Sequence, residues 1–159
     1  MGVRELFIDG SVNNQLKLGC GAYLVVNENE EFNDQLKLRI KTKLFANTSS
    51  TKLELQILLW ALSEMIETGS KQMVYTDSQN IVWLKSRRTR LEQNDYHSSN
   101  QKLLNHHELY REFFTMMDQR NCDFVKIEGH QPDKNKNYND QLFTLVDRAA
   151  RRGLRNTVS

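Results

Sequence analysis

The chain has 159 residues, of which 38% are hydrophobic and 26% are charged, and it contains a single proline. These values are typical of a globular protein with one core, so we expect a single domain over residues 1–159. No stretch approaches the ~20 apolar residues that cross a bilayer, and the N-terminus shows no cleavable signal pattern. We therefore expect a cytoplasmic monomer without a membrane partner. The net charge of +2 neither requires nor excludes nucleic acid, because binding depends on where the charge lies.

The cysteines and one histidine pair argue against a zinc site. Cys20 and Cys122 have no cysteine or histidine at metal-ligand spacing, whereas structural zinc takes closely spaced pairs of ligands. We expect two reduced thiols. His106 and His107 are neighbours on a segment of helical character, where adjacent side chains point apart, so we assign them to the surface.

The first half of the chain predicts three strands and a helix. Residues 5–9 (ELFID) form a short apolar run typical of a buried strand, and residues 21–27 (GAYLVVN) are predicted as the second strand of a hairpin. Residues 36–46 alternate apolar and basic side chains, which predicts an antiparallel strand with one solvent-exposed, basic face. Leucines then recur at three- and four-residue spacing over 51–68, which predicts a helix that stops at Gly69.

The second half predicts parallel crossovers. Residues 73–77 (MVYTD) read as another short buried strand, and Ser78 can cap the helix that follows. The chain is then polar and basic over 85–105. Three antiparallel strands followed by parallel crossovers predict an α/β fold with a mixed five-stranded sheet flanked by helices. The last predicted elements are a helix at 108–119, a strand at 123–128 and a helix at 140–152.

Four carboxylates stand where packing alone would not place them. Asp9 and Asp77 each end an apolar strand, although aspartate is depleted in strands, and ligands of open α/β sheets gather at the carboxyl ends of strands. Glu54 lies in an otherwise apolar helix start, and Asp147 interrupts the last helix. Acids that meet in one place repel each other unless a cation lies between them. Four acids from two strands and two helices therefore predict a divalent-cation site.

Each acid also has a structural alternative that the sequence leaves open. Glu54 fits a capping box with Thr51 at the helix start. Asp147 fits an ion pair on the helix surface with Arg148 or Arg151. The two strand-end aspartates fit turns. The conjunction of all four acids favours the cation site over these separate explanations.

Five segments spread over nearly the whole chain stand out together: DGS with GCGAY (9–11 and 19–23), STKLEL (50–55), YTDSQ (75–79), VKIEGH (125–130) and VDRAAR (146–151). In this order they resemble the type I ribonuclease H family. The resemblance implies a ribonuclease H-like fold and a metal-dependent endoribonuclease. Its expected reaction is hydrolysis of the RNA strand of RNA–DNA hybrids, which leaves 3′-hydroxyl and 5′-phosphate ends.

The resemblance also implies roles for individual residues. Two Mg²⁺ ions per site are expected, with Mn²⁺ as an alternative, because paired cations serve both the attacking and the leaving oxygen. Asp9 would bridge the two ions, and His130 would move protons or ease product release. The expected metal ligands are Asp9, Glu54, Asp77 and Asp147.

Nucleic-acid contacts are expected on both strands of the hybrid. Short polar side chains suit the 2′-hydroxyls of RNA, and basic side chains suit the phosphates of the DNA strand. The expected RNA contacts are Ser50, Thr51 and Gln79. The expected DNA contacts are Lys85, Arg87, Arg88 and Arg90.

Other functions known on similar folds fit the residues less well. A related exonuclease would need a second acid two residues after Asp9, where this chain has Ser11. A transposase or integrase core usually closes with glutamate rather than with Asp147. A non-catalytic relative that binds hybrids or scaffolds an assembly stays an alternative, although the presence of all four acids disfavours it.

Overall fold

The computed structural model describes residues 2–128, 132 and 136–158. Its five-stranded sheet has the order β3-β2-β1-β4-β5. The β1–β2 and β2–β3 pairs are antiparallel, and the β1–β4 and β4–β5 pairs are parallel. The predicted mixed α/β fold is confirmed. The strands are β1 (Arg4–Asn13), β2 (Leu18–Asn27), β3 (Lys41–Ala46), β4 (Gln72–Thr76) and β5 (Cys122–Lys126).

Helices cover both faces of this sheet. Successive β1 residues point to opposite faces: Leu6 and Ile8 belong to one buried cluster, and Phe7 to the other. Phe7 stacks on Tyr75 with ring centroids 4.6 Å apart. Full burial of one such side chain stabilises the fold by roughly 1.5–3 kcal/mol. The helices are α1 (Ser50–Glu64), α2 (Gln79–Leu84), α3 (Arg88–Gln93), α4 (His107–Gln119) and α5 (Tyr138–Val158), with 3-10 turns at Asp34–Arg39 and Lys85–Arg87.

The predicted strand over residues 36–46 is wrong in its first half. Asp34–Arg39 forms a 3-10 helix, whose cap residue Asn33 accepts a hydrogen bond from the Gln35 amide at 2.9 Å. Only Lys41–Ala46 pairs with β2, and this strand lies at the edge of the sheet. A capped turn can form there because an edge strand has no second neighbour that would hold the chain extended.

The apolar face predicted for this segment is also wrong. Leu38 is 80% exposed and Leu44 is 45% exposed, whereas Phe45 packs edge-on against Trp60. Lys41 and Lys43 are exposed, as the alternation predicted. The register with β2, rather than the sequence alternation, decides which face of β3 meets α1.

Other element bounds differ by shorter amounts. The helix predicted over 51–68 ends at Glu64, and the last helix, Tyr138–Val158, is longer than the predicted 140–152. The first strand continues to Asn13 because its antiparallel ladder with β2 runs that far. Among the residues that the structure describes, no helix has both the length and the apolar character needed to span a membrane.

The α1 helix lies in very close contact with the β1–β2 hairpin. A Cβ atom at Gly21 would come within 2.4 Å of Ile57 Cγ1, and one at Gly10 within 2.6 Å of Ile57 Cδ1. Real Cβ contacts are essentially never that short, so a larger residue at either position would force the Ile57 side chain to shift. Because of this contact, Glu54, which lies one helical turn before Ile57, is positioned next to the hairpin.

We predict that Gly21→Ala lowers the free energy of unfolding by roughly 1–3 kcal/mol, because it overpacks this contact. Ile57→Ala removes the opposing side chain, so Gly21→Ala should cost less in that background. Urea unfolding of the two single variants and the double variant measures this coupling. Gly2→Ala is the matched control, since a Cβ there meets only Glu28 at an ordinary 3.5 Å. If Gly21→Ala lowers the free energy of unfolding equally in wild type and in the Ile57→Ala background, the prediction is contradicted.

Candidate active site

Asp9 and Asp77 meet at the carboxyl edge of the central strands. The parallel β1–β4 pairing ends at Phe7 and Tyr75, while β1 continues along β2 to Asn13. Asp9 therefore lies inside β1 and not at its end, which corrects the prediction, but it is two residues beyond the last parallel pair. Asp77 follows β4 directly. Both aspartates thus occupy the edge at which ligands of α/β sheets gather.

Glu54 points at Ser78 and not at its own helix start. Ser49 caps α1 by accepting a hydrogen bond from the Lys52 amide at 3.4 Å. Glu54 instead accepts a hydrogen bond from the Ser78 hydroxyl at 2.7 Å. The capping box with Thr51 is therefore not the role that Glu54 plays in this structure.

Ser78 holds two elements of the site together. Its buried hydroxyl donates to Glu54 and accepts from the Ile81 amide at 3.2 Å, so it also caps α2, as predicted. The sequence analysis missed its contact with Glu54. The sequence holds one indication of this contact, which is that Ser78 directly follows Asp77. A residue between a strand-end acid and the start of a helix lies at the same edge of the sheet as that acid.

Asp147 makes two contacts that compete for its carboxylate. Its Oδ1 atom lies 3.2 Å from Arg151 Nε, so the ion pair on the helix surface does form. The same carboxylate is hydrogen-bonded to Asp9. A hydrogen bond between two carboxyl groups needs a proton, which one of them must keep.

The four acids surround one cleft that is made of two adjoining hollows. We call it the carboxylate cleft. Both hollows are lined by Asp9 and Asp77, and their volumes are about 450 and 160 Å³. Asp147 lines the larger hollow, and Glu54 the smaller one. The other lining residues are Gly10, Ser11, Val12, Arg151, Leu154 and Arg155 for the larger hollow, and Gly10, Val12, Ser50 and Leu53 for the smaller one.

Burial and the charges of neighbouring acids raise the pKa of two carboxyl groups in the cleft, those of Asp9 and Glu54. Burial raises the pKa of Asp9 to about 9, helped by the hydrogen bond to Asp147 and the charges of Asp77 and Asp147. Burial also raises the pKa of Glu54, and Asp77 adds to this effect, while the Ser78 hydroxyl opposes it. A cation placed among these groups would remove the repulsion and favour their charged forms.

The donor set suits magnesium, although the side chains are turned elsewhere. Within the described ranges, no group of three or more His, Cys, Asp or Glu side chains forms a cluster that could hold a metal ion. Glu54 faces Ser78, and Asp147 faces Arg151 and Asp9. The donors are nevertheless all carboxylate oxygens, which Mg²⁺ prefers.

We predict that Asp9→Asn raises the melting temperature of the metal-free protein at pH 7. Because the folded pKa of Asp9 is raised, its contribution to stability is complete below the unfolded pKa of about 3.9. That contribution is lost as the pH rises through about 9, so ionisable Asp9 opposes folding at neutral pH. Asparagine removes the penalty, and a gain of about 1 kcal/mol would raise the melting temperature by about 2–4 °C. Calorimetric melts in chelator from pH 4 to 9 should show that the melting temperatures of the variant and of wild type move further apart as the pH rises. A variant that melts below wild type would contradict this prediction.

The residues expected to contact RNA lie near the cleft. Ser50 lines the smaller hollow, and Thr51 is exposed beside it. Gln79 begins α2, and its Oε1 atom accepts a hydrogen bond from Lys126 Nζ at 2.8 Å. His130 lies outside the residues that the structure describes.

The four basic residues expected to contact DNA separate into two kinds. Arg88 forms a two-pronged ion pair with Asp118, at 2.5 and 2.9 Å, and a further one with Glu92. Lys85 donates to the Cys122 carbonyl oxygen at 2.8 Å and also lies 3.8 Å from Asp123.

Arg87 and Arg90 line a separate hollow of about 460 Å³. This hollow is walled by polar side chains, and none of its lining residues is acidic. Arg87 donates only to the neutral amide of Asn80, at 3.1 Å. Of the four basic residues, Arg87 and Arg90 thus keep a charge that no described acid neutralises at close range.

Comparison with known proteins identifies the class of this fold and site. The RNase H family model matches residues 3–155, so the chain belongs to the RNase H family. The fold is similar to the PFV RNase H domain solved in solution, with a TM-score of 0.72, 15% identity and coverage of 96% of this chain and 93% of that chain. It is also similar to a foamy viral protease-reverse transcriptase in complex with dsDNA, with a TM-score of 0.64, 9% identity and coverage of 94% and 93%. No curated protein matches the chain.

Proposed function

We propose that this chain is a ribonuclease H that hydrolyses the RNA strand of RNA–DNA hybrids and leaves 3′-hydroxyl and 5′-phosphate ends. The observation that carries the proposal is the carboxylate cleft, in which Asp9, Glu54, Asp77 and Asp147 surround one space at the edge of an RNase H fold. A purely structural role would not explain four acids at one place, because their mutual repulsion destabilises the fold.

The four acids would hold divalent magnesium, with manganese as the alternative. When bound, the cations would activate water and stabilise the charge that develops on the scissile phosphate. Asp9 would be the shared ligand, as the resemblance implies; it lines both hollows, as Asp77 does, with Glu54 in the smaller hollow and Asp147 in the larger one. In the metal-free protein Ser78 holds the Glu54 carboxylate through its 2.7 Å hydrogen bond, and this bond would have to adjust when a cation binds. His130 would move protons or assist product release, as the resemblance implies.

Recognition of the hybrid would use short polar groups for RNA and arginines for DNA. Ser50 lies at the mouth of the smaller hollow, within reach of a 2′-hydroxyl on a strand that enters the cleft. Arg87 and Arg90 would hold phosphates of the other strand. The similar foamy viral structure was solved in complex with dsDNA, which supports a nucleic-acid ligand for this fold.

Cleavage of a labelled RNA–DNA hybrid tests the proposed function. With Mg²⁺, wild type should cut only the RNA strand and leave 5′-phosphate ends, while RNA–RNA and DNA–DNA duplexes should stay intact. Chelator should abolish cleavage, and Asp9→Asn should abolish it without loss of fold. Cleavage that survives in chelator or in Asp9→Asn would refute the proposed site. A correctly folded wild type that binds the hybrid but never cuts it would favour the non-catalytic alternative.

The two kinds of basic residue should differ in the salt dependence of hybrid binding. Arg87→Ala with Arg90→Ala should reduce the slope of log K against log salt by up to about 1.8, because each lost phosphate contact releases about 0.9 fewer counterions. Arg88→Ala is the matched control: its charge is already neutralised by Asp118 and Glu92, so the slope should stay unchanged. Fluorescence anisotropy of a labelled hybrid, measured in chelator over a series of salt concentrations, gives the slope for each variant. An equal effect of all three arginines would mean that total charge, and not this surface, decides binding.

A further inference from the structure

The larger hollow of the carboxylate cleft has a basic wall. Asp9, Asp77 and Asp147 line it together with Arg151 and Arg155. The two arginines are four residues apart on α5, so they lie on the same side of the helix, about 6 Å apart along its axis. The cleft therefore places two guanidinium groups directly beside the acids.

The two arginines differ in what holds them. Arg151 Nε lies 3.2 Å from Asp147 Oδ1, and the Arg151 side chain is 46% exposed. Arg155 is exposed and forms no salt bridge with any residue that the structure describes. Arg152 lies on the same helix and is also exposed, but it does not line the cleft.

A nucleic-acid strand that enters this cleft meets an electrostatic problem. Carboxylates repel a phosphate at close range, most strongly where burial lowers the effective dielectric constant. Guanidinium groups oppose this repulsion, and their planar donors match phosphate oxygens in pairs. Ser11 lines the same hollow and can add a neutral hydroxyl donor.

We propose that Arg151 and Arg155 form a phosphate-binding wall for the strand that is presented to the four acids. One strand of a duplex carries a phosphate about every 3.4 Å along the axis, so two arginines about 6 Å apart can contact separate phosphates of one strand. The site binds phosphate through charge and donor geometry and is indifferent to base sequence. The inference rests on the proposed function only for its ligand, which is the RNA strand of the hybrid.

Arg151 has a second effect on the same wall. In the metal-free protein its guanidinium covers the charge of Asp147, which would otherwise face the incoming phosphate. Loss of Arg151 removes a donor and also uncovers that carboxylate. Loss of Arg155 removes a donor alone. Arg151→Gln should therefore weaken binding at least as much as Arg155→Gln.

Equilibrium binding without divalent cation tests this wall. The probe is a short, fluorescently labelled RNA–DNA hybrid, titrated in chelator over a series of salt concentrations and followed by anisotropy. Arg155→Gln should weaken binding roughly threefold to tenfold and reduce the salt slope by about 0.9. Arg152→Gln removes the same charge from the same helix, three residues before Arg155, and should leave affinity and slope near wild type. Circular dichroism melts check that each variant folds, which the exposure of these side chains favours.

Two results would overturn the proposal. Equal changes in Arg155→Gln and Arg152→Gln would mean that the helix contributes only its total charge. An unchanged affinity and slope in Arg155→Gln would mean that no phosphate contacts this wall. Because chelator prevents metal-dependent cleavage, the test is separate from the proposed function: a wild type that never cuts the hybrid can still show the binding difference, and an active enzyme can lack it.

Discussion

The contact between α1 and the β1–β2 hairpin determines where the site can form. Leu53 and Ile57 lie so close to the hairpin that a Cβ atom at Gly10 or Gly21 would overlap with them. Glu54 stands between those two helix residues in the chain, so the same packing that buries Leu53 and Ile57 carries the carboxylate to the edge of β1. A looser helix would leave Glu54 too far from Asp9 to line a common cleft.

This placement brings like charges together, and the structure relieves the repulsion with local partners. Ser78 donates to Glu54, Arg151 pairs with Asp147, and Asp9 shares a hydrogen bond with Asp147. Each partner stabilises one carboxylate in the metal-free protein, and each would have to yield or adjust when a cation binds. The site thus trades stability for binding capacity, as functional sites commonly do. The loss of stability is largest at Asp9, in the centre of the cleft, because this carboxyl group is buried.

The sequence predicted the sheet and the meeting of four acids at one place better than it predicted the surface. Apolar runs and leucine spacing sufficed for the core, because burial leaves a periodic signal. The segment 36–46 misled the prediction: its alternation resembles a strand, but Asn33 caps a 3-10 turn there and only Lys41–Ala46 pairs with β2. The partner of Arg88 on α4 was also invisible, since Asp118 lies 30 positions further along the chain. Long-range pairs of this kind follow from tertiary packing, which one sequence does not encode locally.

The same distinction explains how a chain with a net charge of only +2 can present basic surfaces. Many of its cations are neutralised by nearby acids, as Arg88 is by Asp118 and Lys71 by Asp123. Arg87, Arg90 and Arg155, which line two of the hollows, are exceptions, because none of them forms a salt bridge with an acid that the structure describes. Charges of this kind favour nucleic-acid binding, because they can replace the counterions of a phosphate backbone. The location of ion pairs, rather than the total charge, therefore decides which faces of this protein attract a polyanion.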